Sequence, residues 1–276
     1  MSQPTISIIT SSFNQSQYLK QLFACISMQK DENVEFIVVD AASTDGSLQL
    51  ISKMRSLIDT MDVGPDRGPA DGWRRGLSFA RGKFVLFINA DDVLLPKALD
   101  RIKDVIKQDT YADVFVAHGL IIDERVSKSK LFYSHVPRVE TLARGIGAVC
   151  QQSTVMRRAS LPPIAIENRT CWDSELLIDT IARGARTRRI EDVWGVFRMT
   201  DNSISGRAKT IEEVRRYASD RRKIADRYGV NDLLSVDVLR VNISRAQRYL
   251  DPDYYNLRRR YKYLESIKSV EELWPA

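Results

Sequence analysis

The feature that most restricts this chain is an alternation of two periodicities. Short β-branched runs, Thr5–Thr10 (TISIIT), Val34–Asp40 (VEFIVVD) and Phe84–Ile88 (FVLFI), are apolar nearly throughout, the pattern of strands covered on both faces. Between them apolar residues recur at helical spacing: Leu19, Leu22, Phe23 and Ile26, then Leu50, Ile51, Met54, Leu57 and Ile58. A third helix is expected around Ala70–Ala80, and a fourth is expected to open at Pro96 and carry Leu99, Ile102, Val105 and Ile106. Such alternation implies right-handed crossovers and a parallel sheet, with ligands at the carboxyl ends of the strands. Further on, Val114–Ile122 and Leu131–Tyr133 read as a hairpin around the polar turn Asp123–Lys130. Ser153–Met156 and Ile190–Met199 are strand candidates, with a helix from about Trp172 to Arg183 between them. The fold class is therefore α/β: a Rossmann-like mixed sheet, mostly parallel, flanked by helices.

From Lys209 the pattern turns helical, with Ile211, Val214 and Tyr217, then Tyr254, Leu257, Tyr261 and Leu264. We divide the chain into residues 1–206, with a nucleotide-binding half at 1–110 and an acceptor half at 111–206, and a basic helical extension at 207–276. The charge supports this division. Of a net charge of +6, residues 207–276 carry 16 Lys/Arg against 11 Asp/Glu, whereas residues 1–206 are nearly balanced. Tyr254, Tyr255, Arg258, Arg259, Arg260, Lys262 and Tyr263 suit peripheral contact with an anionic membrane surface, homodimer packing or plain solvation. No nucleic-acid recognition module is apparent.

With 43% hydrophobic residues in 276, the chain can bury a large core, which excludes a disordered or coiled-coil protein. No run of 18 apolar residues occurs and Met1–Pro4 has no signal-like charge, so a cytoplasmic protein is expected, with peripheral docking at the inner face of the membrane as the variant. Cys25, Cys150 and Cys171 have neither even number nor Cys-x-x-Cys spacing and are expected to be reduced, buried thiols. His118 and His135 lack metal-ligand spacing and read as structural.

The strongest local signal is Asn89-Ala90-Asp91-Asp92, directly after an apolar strand. Adjacent carboxylates at a strand end repel unless a cation or a helix N-terminus compensates them, and hard oxygen ligands suit Mg²⁺ or Mn²⁺ carrying a substrate's phosphates. A helix cap by Asp92 is the competing reading. Two other strand ends are also polar: Thr10-Ser11-Ser12-Phe13-Asn14, and Asp40 followed by Ser43-Thr44-Asp45-Gly46-Ser47, where Asp45 reads as a helix cap. Neither glycine-rich nucleotide fingerprint is present.

In this order and spacing, Ile8–Asn14, Val38–Ser47 and Asn89–Asp92 resemble family 2 of the glycosyltransferases, whose fold is the GT-A nucleotide-diphospho-sugar transferase fold. Gly64-Pro65-Asp66-Arg67-Gly68 and Asp71-Gly72-Trp73-Arg74-Arg75-Gly76 are similar to family segments as well, and the likeness runs over about residues 5–206. The resemblance implies a UDP-, GDP- or dTDP-linked sugar donor, with Thr10, Ser11, Phe13, Asp40, Asp66, Arg67, Asp71 and Asp91 at the nucleotide. It further implies Mn²⁺ or Mg²⁺ at Asp91 and Asp92, and Arg198 at the phosphates. Asn89 stands where the family's Asp-x-Asp motif has an acid, and Thr200 where a related ending has a His.

Sugar transfer needs a stabilised leaving diphosphate and a base for the acceptor hydroxyl. In Cys171-Trp172-Asp173-Ser174-Glu175, Asp173 precedes an apolar helical run and reads equally as an N-cap. The resemblance makes Asp173 the base, with Glu175 second, and places Gln151, Gln152 and Trp172 at the sugars. These readings add up to a metal-dependent, inverting transferase acting on a glycan or lipid-linked glycan in surface-polysaccharide biosynthesis. A sugar-1-phosphate nucleotidyltransferase and a non-catalytic nucleotide-sugar-binding protein are the alternatives.

Overall fold

The computed structural model describes residues 3–201, 210–230, 246 and 248–275. Among the described residues nine strands form one mixed sheet. They are β1 (Ile6–Ser12), β2 (Val34–Asp40), β3 (Thr60–Val63), β4 (Phe84–Phe87), β5 (Val93–Leu94), β6 (Val114–Asp123), β7 (Lys128–Phe132), β8 (Thr154–Arg157) and β9 (Thr187–Met199). The order is β3-β2-β1-β4-β8-β6-β9-β5, with β7 paired to β6. The β1, β2, β3 and β4 pairings are parallel, as is β6 with β9, whereas β8 runs antiparallel to both its neighbours.

The alternation of side chains along these strands feeds two cores. Ile6, Ile8, Phe36, Val38 and Leu86 face helices α1 (Ser16–Ser27), α2 (Ser47–Lys53) and α4 (Ala98–Gln108). Ile9, Ile37, Val39 and Phe87 face α3 (Pro69–Phe79) and α6 (Trp172–Ala182). On β6 the parity reverses at an irregularity beside His118, so that Phe115 and Ala117 but then Leu120 and Ile122 reach the first core.

Three details depart from the sequence reading. Ile58 lies beyond α2, which ends at Lys53, and the short edge strand β3 comes next, too polar and half-exposed for its pattern to announce it. The fourth helix begins at Ala98 rather than Pro96, because the Leu95 amide still donates to Trp194 O and Lys97 sits left-handed at φ 61°. A short helix, α5 (Val139–Ala143), has no apolar periodicity long enough to predict it.

The boundary at 206/207 lies outside the described residues. The C-terminal segments pack onto both cores. Helix α7 (Ile211–Arg227) opens with a Thr210–Glu213 capping box and sends Ile224 and Ala225 into the second core. Helix α8 (Pro252–Arg260) and the two short 3-10 turns after it bury Tyr254, Leu257, Tyr261, Leu264, Val270 and Trp274 in the first. Trp274 Nε1 donates to Leu94 O at 2.7 Å and Ser129 Oγ to Leu264 O at 2.8 Å. Tyr255, Arg259, Lys262 and Tyr263 remain on the exposed side. Among the described residues no helix is long and apolar enough to cross a membrane.

Candidate active site

Parallel pairing brings three polar strand ends together. Ser12 is the register partner of Asp40, and the Ile88 amide donates to Ile9 O, so the chain leaves β4 beside β1. Asp40 is fully buried, and its oxygens accept from the Ser43 amide at 2.7 Å and the Ser43 hydroxyl at 2.8 Å. Ser43 Oγ accepts in turn from the amide of Asn14, which stands left-handed at φ 52°, a conformation Asn tolerates. Thr10 Oγ1 and Ser12 Oγ are buried and meet no protein partner. Ser11 points to the opposite face, toward Gly72 in the first turn of α3; a Cβ on Gly72 would stand 2.2 Å from Ser11 Oγ and 3.1 Å from Asp66 Oδ2. Phe13 is exposed at the mouth.

Asp66 accepts from the Gly68 amide at 2.9 Å. Asp71 is bonded by Arg67 and Arg74, which hold its carboxyl well below the usual range despite burial. Asp45 is not the cap of α2, a position taken by Gly46 without a side-chain bond; it stands one residue earlier and accepts from the Ser47 amide and hydroxyl and from the Ser16 amide. Burial would raise its carboxyl, but these bonds outweigh it and bring it down to about 2.

Asp92 is buried and caps no helix. Its Oδ1 accepts from the Arg198 amide at 2.9 Å, and its Oδ2 from Asn89 Nδ2 at 2.9 Å and from Gln152 Nε2. Asp91 beside it is half-buried. Burial pushes both carboxyls up, Asp92 further because Asp91 repels it, while the Arg198 charge opposes the rise at Asp91. The Arg198 guanidinium lies 4.8 Å over the Tyr18 ring, and Tyr18 OH donates to Thr200 Oγ1 at 3.0 Å. Ser203 and Ser205, in the same segment as Arg198 and Thr200, lie outside the described residues. Among the described residues no third His, Cys, Asp or Glu joins Asp91 and Asp92 in a metal-binding group. Two hard oxygen donors under-compensated by positive charge fit a divalent cation that takes its remaining ligands from a diphosphate.

On the other side of β4 lies a cavity of about 240 Å³, walled by Trp73, Phe87, Gln151, Asp173, Tyr217 and Arg221 among others. Asp173 sits in the first turn of α6, where Cys171 occupies the cap position without a side-chain bond, so Asp173 is not the cap. Its carboxyl is raised by burial, against which the backbone amides of Ser174 and Asp173 and then the Arg221 charge pull it down. Glu175 is elsewhere: it accepts from Asn168 Nδ2 at 2.7 Å and pairs with Arg227 at 2.7 Å. Trp172 is buried edge-on against Trp73, which stacks on Phe87 at 4.3 Å. Gln151 lines the cavity and donates to Phe87 O, whereas its neighbour Gln152 turns away to Asp92.

The Glycosyl transferase family 2 model matches residues 7–162, more than half of the chain. The chain belongs to glycosyltransferase family 2. It is 25% identical over 209 residues, 74% of its own length and 82% of the relative's, to the putative teichuronic acid biosynthesis glycosyltransferase TuaG of Bacillus subtilis (strain 168). It is 26% identical over 160 residues to the poly(ribitol-phosphate) beta-N-acetylglucosaminyltransferase TarS of Staphylococcus aureus (strain Mu50 / ATCC 700699), 56% of this chain and 28% of that one. It spans 37% of an uncharacterized glycosyltransferase of Nostoc sp. (strain PCC 7120 / SAG 25.82 / UTEX 2576), to which it is 32% identical over 128 residues. The fold is that of S. aureus TarS 1–349 in complex with UDP-GlcNAc, at a TM-score of 0.62 and 17% identity over 94% of this chain and 73% of that one. It is also that of the Mycobacterium tuberculosis glucosyl-3-phosphoglycerate synthase crystallised with Mn²⁺, UDP and glucosyl-3-phosphoglycerate, at a TM-score of 0.53 and 20% identity over 83% and 82%.

The sequence of this family 2 transferase did not point to Ser43, Tyr18, Tyr217 or Arg221. Ser43 was the most legible of these, since a Ser three residues after a strand-end Asp is a common side-chain turn. His118 is held in a structural net, stacked 4.6 Å over Tyr133, with Nδ1 accepting from the Ser134 amide and Nε2 3.1 Å from Glu191. All three cysteines are buried and unpaired, in keeping with a reduced chain.

Proposed function

We propose that this protein is an inverting, divalent-cation-dependent transferase. In this reading it moves a sugar from a nucleotide diphosphate to a glycan or lipid-linked glycan in the assembly of cell-surface polysaccharide. The observation that carries the reading is the division of labour between Gln151 and Gln152. These consecutive residues face opposite sides, one toward the Asp173 cavity and the other onto the Asp92 carboxylate. Donor and acceptor machinery are thereby tied within one turn of chain, as a single displacement needs. TuaG and TarS, by their names, act in teichuronic acid biosynthesis and on poly(ribitol-phosphate), which supports a cell-surface acceptor.

In the mechanism, Asp40, Ser11, Asp66 and the unpartnered hydroxyls of Thr10 and Ser12 bind the nucleoside, with Phe13 and the Arg67–Asp71 pair at its edge. Asp91 and Asp92 would hold Mn²⁺ or Mg²⁺, which when bound supplies Lewis-acid stabilisation of the leaving diphosphate. Arg198 adds fixed positive charge on the same side. Trp73, Phe87 and Gln151 seat the sugars and exclude water. Asp173 takes the proton of the attacking acceptor hydroxyl; its position in a partly apolar cavity makes it a stronger base than a solvated carboxylate. Glu175, committed to Arg227 and Asn168, orients α6 rather than touching substrate.

The test incubates the full chain with UDP-, GDP- and dTDP-sugars, Mn²⁺ and a mixed pool of glycan and lipid-linked acceptors, with products read by mass spectrometry and anomeric configuration by NMR. Asp173→Asn is expected to lose turnover by about 10²–10⁴-fold while nucleotide binding by calorimetry persists. Full turnover in that variant overturns the base assignment. Failure of every donor to give product sinks the transferase reading.

A further inference from the structure

The Asp173 cavity is completed by a part of the chain that lies beyond residues 7–162. Helix α7 presents Tyr217 and Arg221, one turn apart, to the cavity. Arg221 is buried, and one of its terminal nitrogens donates to Leu142 O at 2.7 Å and Ala143 O at 2.8 Å. These carbonyls belong to the last turn of α5, where Leu142 O also accepts from the Gly145 amide at 2.9 Å. Gly145 makes the room: it is left-handed at φ 73°, and a Cβ there would stand 2.8 Å from the same nitrogen. The guanidinium is therefore pinned, its charge fixed beside the cavity.

Among the described residues walling this cavity, Arg221 is the one cationic side chain and Asp173 the one carboxylate. Several other charged groups nearby are already engaged, whereas the buried Nε of Arg144, beside Gly145, has no hydrogen-bond partner among the described residues. Glu175 and Asp179 pair with Arg227, and Asp220 accepts from Thr170 Oγ1 at 2.8 Å and lies 3.5 Å from Lys223. Cys171, behind Asp173, is pushed up to about 11 by burial and stays a neutral thiol.

We propose that Arg221 is a positioning residue for the transfer reaction: its pinned guanidinium supplies the counter-charge that keeps the Asp173 carboxylate ready to accept the acceptor's proton. The proposal rests on Asp173 as the base. Burial drives that carboxyl toward its protonated form, in which it cannot take a second proton; the backbone amides of Ser174 and Asp173 oppose the drift, and the Arg221 charge adds to them. A lysine keeps the charge but carries it on a flexible stem as a compact ammonium, without the planar guanidinium.

The test is a ¹³C-carboxyl NMR titration of the full chain, the Asp173 resonance being assigned by its loss in Asp173→Asn. In Arg221→Gln its midpoint is expected to rise by about half a pH unit, with Arg221→Lys falling between. The acid limb of kcat/KM, measured on the donor–acceptor pair that the product screen identifies, is expected to move by the same amount. An unmoved Asp173 midpoint in a variant that retains its circular dichroism and urea midpoint overturns the proposal. If Arg221→Gln does not fold, Arg221→Met decides in its place, since it also removes the charge while keeping a long stem, and an unmoved Asp173 midpoint there overturns the proposal. A midpoint that moves while the acid limb stays fixed refutes Asp173 as the base, a failure distinct from that of Arg221.

Discussion

Trp274, near the C-terminal end of the chain, provides a sharp test of how this fold is held together. Its side chain is buried in the first core, and its indole N–H donates to Leu94 O at 2.7 Å. Leu94 belongs to β5 and lies two residues beyond Asp92, so the tail braces the strand next to the acidic pair. Trp274→Ala removes a large buried aromatic, for which the cost is about 3–5 kcal/mol. Trp274→Phe keeps most of the packing but removes the stronger of two donors to Leu94 O, leaving the Cys25 thiol at 3.6 Å, at a cost of about 1 kcal/mol. Against a total stability of about 5–15 kcal/mol for a typical domain, the alanine variant is expected to unfold at a much lower urea midpoint. Far-UV circular dichroism in urea, with m held against the parent, measures both. Calorimetry with UDP and Mn²⁺ is expected to show weakened binding in each, even where the fold persists. A loss below about 1 kcal/mol for Trp274→Ala would mean that the tail merely lies on the surface, and the bracing of β5 would be refuted.

The geometry sets four further outcomes. The carboxyls of Asp91 and Asp92 are raised in the fold, so the stability they contribute is fully present below the unfolded carboxyl value of about 3.9 and is lost as pH rises through the folded values. Thermal unfolding in EDTA should therefore show the metal-free protein weakening on this account as pH climbs, with Asp91→Asn flattening the slope, while Mn²⁺ affinity by calorimetry increases with pH because the ion displaces protons. Gly72→Ala drives a Cβ to 2.2 Å from Ser11 Oγ and should cost about 1–3 kcal/mol together with a loss of nucleotide affinity. Burial pushes Cys25 and Cys150 up to about 12, so thiol reagents should label them at neutral pH only after denaturation; rapid labelling of the native chain would contradict their burial. Tyr254→Ala, which removes a buried ring packed edge-on to Tyr133 at 5.3 Å, should cost about 3–5 kcal/mol in urea unfolding, and an effect near zero would detach α8 from the core.

Much of the architecture was readable because periodicity reports local burial. Strands β1, β2 and β4 are covered on both faces and show unbroken apolar runs, and an acidic or hydroxyl residue after such a run marks a strand's exit into the crevice. The edge strand β3 and the two-residue β5 were not readable, for their residues carry no such run. The sequence left Asp92 and Asp173 each divided between helix cap and functional group. The difference lies in long-range partners: Asp92 is taken by Gln152 and Arg198, 60 and 106 residues away, and the α6 cap position falls on Cys171.

What the sequence determined by itself was the strand-helix alternation, the polar residues at three strand ends and the unpaired state of its thiols, because each depends on composition or on spacing within a few residues. Only the tertiary structure decided that the basic tail closes both cores, that Glu175 is spoken for by Arg227, and that Arg221 stands in the wall opposite the sheet. Those outcomes depend on which distant segments meet, and a charged side chain that is solvated in one packing becomes a buried, pinned cation in another without any change in its local pattern.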